Sequence, residues 1–187
     1  MMRRCIWLVM VITFLLMLLP GMSFSYAADP KVEVDWDYLT PLRQNRELDT
    51  VSVHVMKKFS EGKDRSLYRG ITVTRPYGNI FYENRLQASS AVGVGPLYMV
   101  RFEKSRSGKL TTAFDISGGL ILYDKAFPAG GKQYNFMWRA GPRFLYKIDD
   151  NSSVNVGYMI MHVSNGLKND NPSYDAYGLS MGFTSKF

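Results

Sequence analysis

The chain has few of the residues that most often hold metals or form disulfides. Its 187 residues include one cysteine, Cys5, and two histidines, His54 and His162. Because Cys5 is the only cysteine and lies near the start, no disulfide within the chain can stabilise the domain that follows. Two histidines without a nearby thiol do not make a zinc-type ligand set. The sequence also lacks a glycine-rich loop of the kind that binds phosphate groups. We therefore expect no metal and no cofactor.

Only one long apolar run is present, Ile6–Leu19, and it is shorter than the roughly 20 residues that a spanning helix needs. Two arginines precede it, a Pro-Gly pair ends it, and small residues follow near Ala27 and Ala28. This order is typical of a Sec signal peptide. We predict a signal peptide over residues 1–28, cleaved near Ala27 or Ala28, and a single domain over residues 29–187.

The charge of the chain is basic but diffuse. The formal net charge of +7 falls to about +5 once the two N-terminal arginines are removed with the signal peptide. Such an excess can favour an anionic lipid surface, but it has no clustered patch and an exported protein rarely meets nucleic acid. Nucleic acid is therefore not an expected partner.

Beyond residue 28 the chain has no helical periodicity, but it alternates apolar and polar residues with the period of a strand. This alternation predicts eight strands: Lys31–Tyr38, Leu48–Phe59, Leu67–Arg75, Val92–Glu103, Leu110–Tyr123, Gln133–Ile148, Ser153–Ser164 and Asp175–Phe187. The predicted loops after odd strands are longer than those after even strands. In bacterial barrels the longer loops lie outside the cell, so strands one and seven are expected to run outward.

The charged faces of these strands carry both signs, whereas the opposite faces are apolar and aromatic. Asp35, Asp37, Glu103 and Asp115 are expected to face Arg101, Arg139 and Arg143 in a narrow interior. Only a closed barrel satisfies strand edges in lipid. The sequence therefore predicts an all-β fold, an eight-stranded antiparallel transmembrane β-barrel of the outer membrane. His54 is expected in the interior, and Trp36, Tyr38, Trp138, Tyr146, Tyr158 and Tyr177 in interfacial girdles.

One polar pair interrupts the apolar face of strand seven. His162 and Ser164 are two residues apart, so both side chains lie on the face that carries the apolar residues. A base beside a hydroxyl is the arrangement of nucleophilic acyl transfer, and it needs an acid to orient the imidazole. Asp175 on strand eight has the matching parity. We expect Ser164 to pair with Asp175, His162 to face Tyr177, and Asp175 to reach His162 diagonally.

The stretch His162-Val163-Ser164-Asn165-Gly166, with the segment from Asp175 to Phe187, resembles the lipid A 3-O-deacylase (PagL) family. The resemblance is sharp over residues 158–187 and only architectural over 29–157. It implies an outer-membrane esterase that hydrolyses the 3-O-acyl chain of lipid A, with lipopolysaccharide as its partner. It further implies His162 as the general base, Ser164 as the nucleophile, and Asn165 with Gly166 at the oxyanion. The family acid is usually glutamate, and Asp175 stands at the matching position.

Other interpretations of the sequence are a non-enzymatic eight-stranded barrel of the adhesin or resistance type and a barrel acyltransferase. The oligomeric state is also left open, a homodimer included. Arg43 and Arg46 in the first outer loop could contact lipid A phosphates, although exposed arginines need no such explanation. Product analysis separates the two enzymes, because a hydrolase releases a free fatty acid and a transferase makes a new acylated lipid.

Overall fold

The computed structural model describes residues 25–26, 31–42, 46–165 and 172–186. We label the eight long strands β1 to β8 in chain order. They are β1 Lys31–Pro41, β2 Arg46–Glu61, β3 Arg65–Tyr82, β4 Gly93–Ser107, β5 Leu110–Phe127, β6 Lys132–Lys147, β7 Ser152–Ser164 and β8 Tyr174–Lys186. Among the described residues, no helix is long and apolar enough to cross a membrane.

The eight strands form a closed antiparallel ring. Each strand pairs with the next along the chain, and β8 returns to pair with β1 from Ala176 opposite Pro41 to Lys186 opposite Lys31. The predicted strand number, order and closure are thus all present. Closure leaves no long edge strand whose backbone groups would be unpaired in lipid.

Several strands extend further than the sequence pattern predicted. The predicted loop over 76–91 is largely strand, because β3 continues to Tyr82 and a short strand, Arg85–Ala88, folds back on it. Glu83 and Asn84 make the turn between them with positive φ. Pro76 and Gly78, residue types that favour turns, both lie within a paired strand.

A second short strand, Ser25–Tyr26, pairs with Ser60 and Glu61 at the end of β2. These two residues lie within the predicted signal peptide, whose cleavage stays a prediction. Phe187, with which the eighth predicted strand ends, lies outside the described residues.

The barrel interior is divided into a polar half and an apolar half. In the polar half, Arg101 binds Glu33 and Asp115 at 2.7 and 2.8 Å, and Arg143 joins Asp115 at 2.6 Å. Arg139 lies 2.9 Å from Asp37, which also contacts His54. The predicted interior of mixed charge and the predicted interior position of His54 are therefore observed.

The apolar half of the interior lies at the end of the barrel where β7 finishes and β8 begins, which we call the site end. Its buried residues include Leu39, Leu48, Ile80, Ile121, Phe127, Met161, Val163 and Tyr174. Outside, the ring exposes an apolar band with aromatic residues, among them Trp36, Tyr38, Trp138, Tyr146 and Tyr158. A surface of this kind is favourable in lipid rather than in water.

Candidate active site

The candidate site lies at the site end of β7, on the outer face of the barrel. Every second residue of this strand from Val154 to Ile160 is apolar or aromatic and exposed. Met161 and Val163, which have the opposite parity, are buried. His162 and Ser164 continue this outward-facing set and are partly exposed. Strand parity therefore places the imidazole and the hydroxyl on the lipid-facing side of β7, at the site end of its apolar stripe, as predicted.

The acid is directly opposite the histidine. Asp175 pairs with His162, and Tyr177 pairs with Ile160. The expected pairing of Ser164 with Asp175 was wrong by two residues, because a shift of two keeps every side chain on its face and strand parity cannot detect it. In the observed register Tyr174 pairs with Val163 and Ala176 with Met161, so buried apolar residues meet inside the barrel.

A short hydrogen bond joins the imidazole and the carboxylate. His162 Nδ1 lies 2.6 Å from Asp175 Oδ1, and the two side chains are 28% and 20% exposed. An ionised carboxylate can only accept, so Nδ1 carries the hydrogen and donates it. This tautomer leaves Nε2 with its lone pair, which is the form of imidazole that can remove a proton from a hydroxyl.

Trp138 on β6 stacks against the other side of the imidazole. It is the cross-strand partner of His162, and the two rings lie 5.9 Å apart between centroids with an interplanar angle of 28°. Phe136 is the corresponding partner of Ser164. The sequence assigned Trp138 to an interfacial girdle, and the parity of β6 alone could not show that its partner would be the histidine.

Ser164 ends β7 two residues beyond His162 and on the same face. Within the part of the chain that the structure describes, its hydroxyl makes no hydrogen bond to His162. The Cα atoms of residues two apart on a strand are separated by roughly 6–7 Å. A long imidazole and a short hydroxyl can approach across that distance, and catalytic hydrogen bonds often tighten only when substrate binds.

The predicted oxyanion residues are less completely described. Asn165 follows Ser164 and is only 3% exposed, so its side chain is not on the open lipid-facing surface. Gly166 and Arg43 lie outside the described residues, and for Arg46 only the backbone is described. Roles for these residues stay predictions.

Buried contacts hold the start of β8 in place beneath the site. The Tyr174 ring packs edge-on against Phe127 with centroids 5.5 Å apart, and its hydroxyl lies 3.4 Å from that of Thr50. The backbone N–H of Leu42 donates to the Asp175 carbonyl at 2.9 Å. These contacts fix the backbone that carries the acid. Sequence analysis did not single out Tyr174, although its inward parity beside Asp175 was readable.

The described residues contain no cluster of three or more His, Cys, Asp or Glu side chains that could hold a metal ion. The arrangement they do contain is a base, a hydroxyl and an acid, in the chain order His162, Ser164, Asp175. A nucleophile, a base and an orienting acid recur on unrelated folds as the machinery of acyl transfer.

Comparison with known protein families shows to which family the chain belongs. The family model for lipid A 3-O-deacylase (PagL) matches residues 49–184, which is most of the chain and includes the whole candidate site. The chain belongs to this family. The family is one of outer-membrane ester hydrolases that act on lipid A, as the sequence resemblance implied. No curated protein matches the chain.

Two solved structures share the fold of this PagL-family chain at low sequence identity. The crystal structure of Neisserial surface protein A (NspA) has a TM-score of 0.60 and 14% identity, covering 88% of this chain and 99% of that one. The crystal structure of the outer membrane enzyme PagL has a TM-score of 0.51 and 15% identity, covering 84% and 99%. The predicted eight-stranded outer-membrane barrel is confirmed.

Proposed function

We propose that the chain is an outer-membrane lipid A 3-O-deacylase that works by serine acyl transfer. Ser164 is the nucleophile, His162 the general base and Asp175 the acid that orients the imidazole. The observation that carries the proposal is the 2.6 Å hydrogen bond from His162 Nδ1 to Asp175, with Ser164 on the same lipid-facing side. Family membership supplies the substrate class.

The reaction proceeds in two acyl transfers. His162 Nε2 removes the Ser164 proton while Oγ attacks the ester carbonyl carbon, and the resulting imidazolium is stabilised by the Asp175 carboxylate. Collapse of the tetrahedral intermediate breaks the bond to the sugar oxygen, which takes the proton from His162. Water, deprotonated by His162, then attacks the acyl-enzyme, and collapse of this second intermediate breaks the bond to Ser164 Oγ, which takes the proton back from His162. The products are a 3-hydroxy fatty acid and lipid A with a free 3-hydroxyl group.

The negative charge of each tetrahedral intermediate needs hydrogen-bond donors. We assign this role to Asn165 with Gly166, on the family resemblance and on their position directly after the nucleophile. Loss of one such donor typically raises the barrier by about 3–4 kcal/mol. No cofactor is required by this mechanism.

The position of the pair at the edge of the apolar band suits a substrate that stays in the membrane. Tyr158, Ile160 and Val156 form an exposed apolar stripe leading away from His162 along β7. Acyl chains can lie along such a stripe while the ester reaches Ser164. The proposed orientation places the site end in the outer leaflet, where lipid A is found.

The test is mass spectrometry of lipid A from cells expressing the full chain or its variants. Ser164→Ala removes the proposed nucleophile, and Ser153→Ala is the matched control near the opposite end of the same strand. Outer-membrane insertion is verified for each variant by heat-modifiable migration on gels. We expect the wild type and Ser153→Ala to remove one 3-hydroxyacyl mass from lipid A and Ser164→Ala to leave it intact.

Three results would contradict the proposal. Correctly inserted wild-type protein that leaves lipid A unchanged would favour the non-enzymatic barrel. Deacylation that persists in Ser164→Ala would exclude this residue as the nucleophile. An additional acylated lipid, in place of a free fatty acid, would instead identify an acyltransferase.

A further inference from the structure

We infer that Trp138 is a positioning residue for the reaction and acts through His162. Its role is then not limited to anchoring the barrel at the membrane interface. The inference rests on the proposed function, in which His162 carries a proton during each acyl transfer. It starts from the stack between the two rings, whose centroids lie 5.9 Å apart at 28°.

The indole and the carboxylate restrain different motions of the imidazole. The hydrogen bond to Asp175 fixes the position of Nδ1, but the ring can still tilt about that bond. Contact with the Trp138 face restricts the tilt, because Trp138 and His162 are directly paired on neighbouring strands. Together the two contacts determine where Nε2 is directed. Nε2 can remove the Ser164 proton efficiently only if it stays directed toward the hydroxyl.

The indole also favours the charged form of the histidine. A cation within about 6 Å of a tryptophan ring centroid is attracted by the negative face of the ring, more strongly where water is scarce. His162 is uncharged before the reaction and becomes an imidazolium as Ser164 loses its proton. The attraction therefore increases toward the transition state, which is the condition for a contact to raise the rate.

The molecule supplies a matched control tryptophan. Trp36 on β1 also faces outward and is 64% exposed, compared with 44% for Trp138. Its cross-strand partners are Met181 and Val53, neither of which can take up a proton. If tryptophans in this barrel serve only as lipid anchors, replacing either one should have similar effects.

The first experiment measures initial rates of lipid A deacylation in detergent micelles for Trp138→Leu, Trp138→Phe and Trp36→Leu. We expect Trp138→Leu to lower kcat by about tenfold with little change in KM. Trp138→Phe keeps an aromatic face and should stay within about threefold of wild type, as should Trp36→Leu. Unchanged kcat in Trp138→Leu, or a rise in KM alone, would overturn the inference by showing that the indole contacts only lipid.

The second experiment observes the stack without using activity. The chain has three tryptophans, so replacing Trp7 and Trp36 by phenylalanine leaves Trp138 as the only fluorophore of this kind. A protonated imidazole stacked on indole quenches its fluorescence. We expect the emission to be lower in acidic than in neutral solution, because the imidazole gains a proton on acidification.

His162→Gln is the control for this titration. Among the described residues, the outward-facing titratable groups nearest to His162 along each strand are Asp175 and Tyr177 on β8, Tyr158 on β7 and Tyr134 on β6. All four remain in the variant, so a pH response that disappears belongs to His162. A response that persists in His162→Gln, or no response in the parent, would overturn the stack. Inactive wild type would overturn the proposed function and the positioning role together, with the fluorescence result still reporting on the stack.

Discussion

His162 and Asp175 face each other directly across the β7–β8 ladder, and the imidazole donates to the carboxylate over 2.6 Å. Direct pairing matters because aspartate is one methylene shorter than glutamate, the acid that the sequence resemblance implies at this position. A diagonal partner would lie about 7–8 Å away between Cα atoms, whereas directly paired residues lie about 4.5–5.5 Å apart. The direct register therefore brings the short aspartate side chain within hydrogen-bond distance of the imidazole.

Asp175→Asn tests the role of the carboxylate. The amide cannot hold the imidazolium by charge and can stabilise the wrong tautomer, so we expect kcat for lipid A deacylation to fall by at least about 100-fold. The measurement is the rate of fatty-acid release from lipid A in micelles by purified, folded protein.

Asp175→Glu is the matched variant, since it keeps the charge and adds one methylene. Because Asp175 lies near the start of β8 and is partly exposed, the longer chain can bend outward. We expect activity within about tenfold of wild type. Equal activity in Asp175→Asn and wild type would show that the carboxylate does not serve His162.

The register of β7 against β8 can be tested by disulfide formation. Cys5 is the only native cysteine, so thiols introduced into the barrel are easily distinguished. Ile160 and Tyr177 are direct partners, and cysteines at both positions should form a disulfide under mild oxidation. Blocking of thiol alkylation in the unreduced protein reports the bond.

The control for this pairing is a double variant with cysteines in place of His162 and Tyr177, the pair that sequence parity had suggested. These positions are diagonal in the structure, and their Cα separation exceeds what a disulfide spans. We expect little oxidation of this pair. The opposite result, with the diagonal pair oxidising readily and the direct pair remaining free, would contradict the register.

The sequence determined which face each site residue occupies but not which residue lies opposite it. Alternation along β7 was enough to place His162 and Ser164 outward, because a shift of one residue would have moved the apolar stripe into the interior. A shift of two residues leaves that pattern intact. The choice among such registers depends on interior packing, here Val163 against Tyr174, which involves residues that the alternation treats as equivalent.

Contacts across the barrel could not be predicted from the sequence either, because alternation does not determine which interior residues meet. The pattern predicted that acids and arginines share the interior, but the pairing of Arg101 with Glu33 joins strands β4 and β1, which are not neighbours in the ring. Such a contact depends on the diameter and stagger of the closed barrel. The stack of Trp138 on His162 likewise needed the register of two strands before it could be recognised.

The interior ion pairs should contribute strongly to stability. Arg101 is fully buried and bonds to both Glu33 and Asp115, so Arg101→Met leaves the buried Glu33 carboxylate without its cation and Asp115 with Arg143 alone. Removing one partner of a buried pair typically costs about 3–5 kcal/mol. We expect a corresponding loss in the free energy of unfolding, measured by urea titration in lipid vesicles.

Arg69→Met is the control for this variant, because Arg69 is exposed and its guanidinium only lies over the Phe59 ring at 5.4 Å. An exposed contact of this kind contributes no more than about 1 kcal/mol. Equal losses in the two arginine variants would show that the interior network is not the source of the stability.

Close approach of two strands explains the glycine at position 141. A Cβ added to Gly141 would overlap the backbone carbonyl oxygen of Tyr158 on β7, which cannot move without disturbing the β6–β7 ladder. Overpacking of this kind costs typically about 1–3 kcal/mol. Since the same ladder pairs Trp138 with His162, we expect Gly141→Ala to lower both the free energy of unfolding and kcat. At Gly118 an added Cβ meets no atom closer than 3.4 Å, so Gly118→Ala should match wild type in urea titration. Similar behaviour of the two alanine variants would contradict the observed strand spacing.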